Sequence, residues 1–379
     1  MKYLSWFLLL IFIILANSCH KPQPEEQFQT TPYELTIPPF FPTETNIPQD
    51  NPLTVEGIKL GRYLFYDNRL RGYLGKDKDS MMCCASCHLQ KNAFVCGIDH
   101  PKYIDGKTFG ITGIPTTHNI MPLFNLVFNN NGYLWNGMVS TDNLNPEYQN
   151  LEDIVRMAIL AQDEIYTSEE RCVQTIASID IYPPMFKAAF GTEEVTMDRI
   201  SKAIAQFLRT LISANSRFDK YIRGELQLTD DELQGFVLFT TENGADCFHC
   251  HGSEGNLLMT TNLFYNNGLD SVFNNSFDRY FVTQQSKDIG AYRAPSLRNI
   301  ALTAPYMHDR RYKTLEEVID FYSDSVKSTP YTHPLMHHAH QHGVKLTDKE
   351  KRQLKAFLES LTDEDFIKNP NFAKPTDLP

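Results

Sequence analysis

Two short stretches decide how this chain reads: Cys84-Ala85-Ser86-Cys87-His88 and, in the other half of the sequence, Cys247-Phe248-His249-Cys250-His251. Each sets two thiols three residues apart, with a histidine directly after the second. On a helical turn that spacing lets both sulfurs add to the vinyl groups of one haem while the histidine turns toward the iron, which makes it the attachment signature of c-type haem. A zinc site shared by four cysteines, or a pair of redox dithiols, needs no histidine after each pair, and zinc ribbons keep their pairs close together in sequence. The expectation is two covalently attached c-type haems. Cys83, Cys96 and Cys172 are left over; they are read as buried free thiols, with a Cys96–Cys172 disulfide as the alternative.

Outward from the motifs the chain is mostly α. From Thr54, VEGIKLGRYLF puts Ile58, Leu60, Leu64 and Phe65 on one stripe. Met197 to Tyr221 predicts one long helix, with Ile200, Ala203, Ile204, Phe207, Leu208, Leu211 and Ile212 at i, i+3, i+4, i+7 spacing. Its end near Arg223-Gly224 is the expected domain boundary, dividing residues 51–223 from 224–365 and a tail, 366–379. Three later helices announce their starts with a capping threonine and a glutamate three residues on: Thr229 with Glu232, Thr314 with Glu317, and Thr347 with Glu350.

A chain of 379 residues has length for two or three domains, enough to bury cores without disulfide staples. Its 35 Lys and Arg against 46 Asp and Glu leave a net charge of −11, which argues against nucleic acid as a partner. Met1 to Ala16 reads MKYLSWFLLLIFIILA, an apolar run suited to a signal-peptide core and short for a membrane span. Ala16-Asn17-Ser18 before Cys19 resembles the lipobox of bacterial lipoproteins, so residues 1–18 are expected to be removed and Cys19 lipidated. Residues 19–50, rich in Pro, Thr, Glu and Gln, read as an extended tether. Covalent haem attachment also takes place outside the cytoplasm, so motif and leader agree on an exported, periplasmic protein. The segment HPLMHHAHQHG gathers His333, His337, His338, His340 and His342. Free imidazoles bind zinc or copper, although a run in a loop is more simply read as solvated.

Several long segments resemble the bacterial dihaem cytochrome c peroxidases and their MauG-like relatives. They are GIKLGRYLFYDNRL, CASCHLQKNAF, MPLFNLVFNNNGYLWNG, GADCFHCHG and YRAPSLRNIALTAPYMHDRRYKTLEEVIDFY, and the likeness runs from about Leu53 to Thr362. It implies two cytochrome c-like helical domains, each with one haem. It also implies that hydrogen peroxide is reduced to water at the N-terminal haem, with electrons from a small cytochrome or copper protein arriving through the C-terminal one. A MauG-like oxidase of a protein or small-molecule partner, and a non-catalytic electron carrier, are the alternatives; relatives are commonly homodimers.

Carried over by position, His88 and His251 are the proximal iron ligands. Trp135, in Leu134-Trp135-Asn136-Gly137, lies between the haems, and Glu164 is the distal acid. Ile154 stands where a distal glutamine is common, and Ala161-Gln162 replaces the Asn-Pro ahead of that glutamate. Seventeen residues after Pro305, where the peroxidases have a methionine as sixth ligand of the second haem, stands Tyr322, as in MauG-like proteins. Met307 and Met336 are the other candidates for that place. The resemblance further implies one calcium ion held by Asn119, Thr303 and Pro305.

Overall fold

The computed structural model describes residues 28–72, 81–140, 147–273 and 277–378. The leader and Cys19 lie outside the described residues. Helices dominate: α1 (Val55–Tyr66), α2 (Leu151–Leu160), α3 (Glu169–Ala177), α4 (Tyr182–Phe190), α5 (Met197–Arg209), α6 (Arg217–Ile222), α7 (Asp230–Phe239), α8 (Phe248–His251), α9 (Arg279–Thr283), α10 (Leu315–Asp324), α11 (Asp348–Ser360) and α12 (Glu364–Lys368). Two antiparallel pairs of two-residue strands, β1 (Tyr103–Ile104) with β2 (Lys107–Thr108) and β3 (Phe264–Tyr265) with β4 (Tyr292–Arg293), pin loops.

Each half is organised around a crossing of two helices that only a glycine permits. In the first, α1 begins at Thr54, whose side chain accepts from the Gly57 amide, and Gly61 lies so close to the Ala203 carbonyl of α5 that any side chain there would overlap it. In the second, Gly235 of α7 meets the Gln353 carbonyl of α11 in the same way. Around the first crossing Phe65 packs edge-on to Phe94 and Phe207, with centroids 5.9 and 5.4 Å away. Around the second, Phe218, Phe236, Phe239 and Phe357 form one aromatic group with centroids 4.9–5.3 Å apart.

The long helix expected over Met197–Tyr221 is two. α5 ends at Arg209, and α6 starts afresh at Ser216, which forms a capping box with Asp219. The intervening backbone is claimed by distant side chains: Asn125 Oδ1 accepts from the Ser213 amide, and Asp363 Oδ2 accepts from the amides of Ala214 and Asn215. Phe218 belongs to the second core, so the change of core falls between Leu211 and Phe218, ahead of Arg223. At the start of the expected tail, Phe366 packs on Phe94 and Phe124 of the first core. The three threonine capping boxes form at α7, α10 and α11.

Candidate active site

The first motif folds as a tight turn, Cys84–Ser86, opened by the Cys83 amide donating to Ser86 Oγ at 3.1 Å. His88 follows with Nδ1 2.6 Å from the Phe94 carbonyl. Ala93 and Phe94 both take left-handed backbone conformations, φ 51° and 62°, which fold the chain back to present that carbonyl. A carbonyl only accepts, so Nδ1 carries the proton and Nε2 keeps its lone pair. The second motif repeats the plan, with His251 Nδ1 3.1 Å from the Pro295 carbonyl. Burial pushes both imidazoles down to about 4, so each is neutral at physiological pH, the form that ligates a metal.

Burial drives the motif thiols the other way, Cys87 and Cys250 to about 12 and Cys84 and Cys247 also upward. Buried thiols of this kind suit a thioether to a haem vinyl carbon, which has no proton to lose. The pairs also lie against different cores and cannot share an ion. The residues present therefore fit two separately held haems. Cys96 and Cys172 are free buried thiols, so the alternative of a disulfide between them is not realised.

Glu164 stands just beyond α2 in a loop laid against Gly110, where any side chain would overlap the Asp163 carbonyl. Its own carbonyl accepts from the Ile111 amide at 3.0 Å. The carboxyl is near enough to the first motif for its charge to raise both Cys84 and Cys87. Burial first, and Asp163 second, lift it from 4.5 to about 7. A carboxyl poised there takes up and releases protons with equal ease.

A crevice of about 1660 Å³, its open mouth included, runs along the second motif and is lined by Cys247, Cys250, His251, Tyr322, Trp135 and Met336. Val95, a few residues beyond His88, also lines it. Trp135 is 9% exposed; its Nε1 donates to the Asn119 carbonyl at 2.8 Å, and its ring lies edge-on to His308 at 6.4 Å. Asn119 Nδ2 in turn donates to the carbonyls of Pro305 and Met307, at 2.5 and 3.2 Å. Thr303 lines the same crevice. Tyr322 accepts from Asn267 Nδ2 at 3.0 Å, and burial holds its phenol above the usual range.

Residues 55–227 match the family model described as di-haem cytochrome c peroxidase. The cytochrome c551 peroxidase of Nitrosomonas europaea is 30% identical over 71% of this chain and 73% of its own length. The chain belongs to the di-haem cytochrome c peroxidase family. Methylamine utilization protein MauG of Methylorubrum extorquens is 29% identical over 83% of this chain and 80% of its own length. A solved structure of a MauG-like protein associated with microbial copper homeostasis superposes with TM-score 0.74 at 33% identity, covering 90% of this chain and 99% of that one. The family carries two c-type haems on a mostly helical fold of two cytochrome c-like domains, and its members are oxidoreductases.

In this family member the structure brings the expected residues into three groups. Glu164 lies by the first motif; Trp135, Asn119 and Pro305 meet in the crevice; and Tyr322 faces the second motif. Reading by sequence missed His308 and Tyr292, whose rings stack at 3.7 Å and 12° beside Trp135. Both lie in the recognisable run YRAPSLRNIALTAPYMHDRR, but nothing in that run signals that two of its loops fold onto each other.

Proposed function

We propose that the protein reduces hydrogen peroxide to water, one HOOH taking two electrons and two protons to give two waters. Cys84, Cys87 and His88 would hold the haem at which peroxide is taken up. Cys247, Cys250 and His251 would hold the second haem, through which electrons from a small cytochrome or copper protein would enter. When bound, the haems supply the iron that takes up peroxide and the electrons that reduce it; the chain supplies the rest. The Phe94 carbonyl fixes His88 with Nε2 bare. Glu164 takes a proton from one peroxide oxygen and returns it to the other, so that water leaves as the O–O bond breaks. Trp135, buried in the crevice along the second motif, is the aromatic step for electrons. The observation that carries the reading is Glu164, poised at about 7 beside the first motif. Mixing diferric protein with peroxide in a stopped-flow spectrometer, then adding ferrous cytochrome c, tests it. Catalytic oxidation of the cytochrome is expected; spectra inert to peroxide in every oxidation state would leave only an electron carrier.

Tyr322 favours a second reading, a MauG-like oxidase of a protein or small-molecule partner. A hard oxygen ligand lowers the potential of the second haem and holds oxidising equivalents there. Met307 and Met336 line the same crevice, and ligation by either restores the peroxidase reading. A Tyr322→Phe variant with unchanged second-haem spectra would exclude the phenol as ligand.

Asn119, Thr303 and Pro305 are the proposed calcium ligands. A half-turn of the Asn119 amide exchanges Nδ2 for Oδ1 and turns an oxygen toward the Pro305 carbonyl; loss of activity on chelation, restored by calcium, is expected. Export with a lipid on Cys19 is the proposed location, and Cys19→Ser should release the protein from the membrane fraction.

A further inference from the structure

Asp246, His249 and His337 meet at the rim of the second haem station. Asp246 precedes the motif, His249 lies inside it, and His337 comes from the histidine-rich segment far along the chain. His249 Nδ1 is 2.7 Å from Asp246 Oδ1, and His337 Nδ1 is 3.3 Å from Asp246 Oδ2. One donor atom from each residue lies within 4.8 Å of the other two. Ligands placed tetrahedrally about 2.0–2.2 Å from an ion sit roughly 3.3–3.5 Å from one another, a spacing that lies between the 2.7 Å of the closest pair here and the 4.8 Å within which all three donors fall, so side-chain rotation brings them onto one ion. Behind His249, Glu242 Oε1 faces Nε2 at 3.6 Å, the arrangement in which an outer carboxylate orients a metal-bound imidazole. His337 is 40% exposed, which leaves a path for the ion and a place for water.

The neighbouring imidazoles are turned elsewhere. His338 Nε2 pairs with the Glu242 carbonyl, His340 Nδ1 with the His337 carbonyl and His342 Nδ1 with the Val326 carbonyl, while His333 lies edge-on to Tyr265. Two imidazoles and one carboxylate suit a divalent transition-metal ion and not calcium or magnesium, which take oxygen donors.

We propose that Asp246, His249 and His337 bind one divalent transition-metal ion, with zinc-like ligation completed by water. The bound ion ties the 333–342 segment to the turn that carries Cys247 and Cys250. Its positive charge next to the second motif would favour the ferrous state of a haem held by Cys247, Cys250 and His251. The site stands independently of the peroxide reading.

The test uses untagged diferric holoprotein, stripped with chelator, dialysed and titrated with zinc chloride by calorimetry, with zinc-edge X-ray absorption on the product. One saturable equivalent is expected, in a shell containing two imidazole nitrogens and no sulfur. His337→Gln and Asp246→Asn, each checked for full haem content, should weaken binding tenfold or more, as loss of a ligand or its support does, whereas His340→Gln leaves it unchanged. Absence of saturable binding, a shell of oxygens alone, or equal weakening by His340→Gln would show an ion-paired rim only and overturn the site.

Discussion

Replacing Glu164 with glutamine keeps the shape of the side chain and removes its exchangeable proton. In the native fold that carboxyl titrates at about 7 against 4.5 for an unperturbed one, a difference of about 3 kcal/mol at 1.36 kcal/mol per pH unit. General acid–base groups of this kind contribute roughly 10²–10⁴-fold to rate, so peroxide turnover at pH 7 should fall by roughly that factor. The step begins with the ionised carboxylate, so wild-type kcat/KM should rise with pH through an inflection near 7, and the variant should lack that limb. A linked effect appears in stability. Between 4.5 and 7 the native state binds a proton that the unfolded chain has released, so stability is full below 4.5 and declines as pH climbs through 7, by about 3 kcal/mol in the limit. Denaturant titrations at pH 5 and pH 8 should show this loss in the wild type and a smaller one in the variant. If Glu164→Gln turned over peroxide within a few-fold of wild type, with the limb near 7 intact, the proton-shuttling role would be refuted.

Other perturbations give separate readouts. Exchanging Cys84 and Cys87 together for alanine should halve the covalently bound haem measured as pyridine haemochrome; an undiminished content would contradict attachment there. Trp135→Phe should slow steady-state oxidation of ferrous cytochrome c while leaving the first peroxide-dependent spectral change at its wild-type rate. Arg209 and Glu152 form a buried pair at 2.6 Å joining α5 to α2, with side chains 1% and 10% exposed. Glu152→Ala strands the guanidinium and should cost about 3–5 kcal/mol in denaturant unfolding. Gly61→Ala should destabilise by about 1–3 kcal/mol, because its methyl meets the Ala203 carbonyl of α5.

The parts of the molecule legible in its sequence are those whose chemistry is local. Thiols three residues apart with an adjoining histidine, or a threonine followed by a glutamate at the third position, act within one turn, and so the haem motifs and the starts of α7, α10 and α11 could be read directly. The break between α5 and α6 could not, because the amides of Ala214 and Asn215 are satisfied by Asp363 from the far end of the chain. The stacking of Tyr292 on His308 and the meeting of Asp246 with His337 depend likewise on loops brought together only by tertiary packing. Glu164 was reachable through family resemblance, whereas its elevated proton affinity follows from burial that no local pattern encodes.

Residues 366–378 close over the first core. Phe366 packs on Phe94, the residue whose carbonyl steadies His88. Beyond it, Tyr66 reaches the Phe372 carbonyl, Arg62 the Ala373 carbonyl and Tyr63 the Asp377 carboxylate. The compartment around His88 is therefore completed by side chains and carbonyls from a segment distant in sequence. Order at that imidazole depends on this distant segment being in place, and removing residues 366–378 would loosen His88 without touching its own motif.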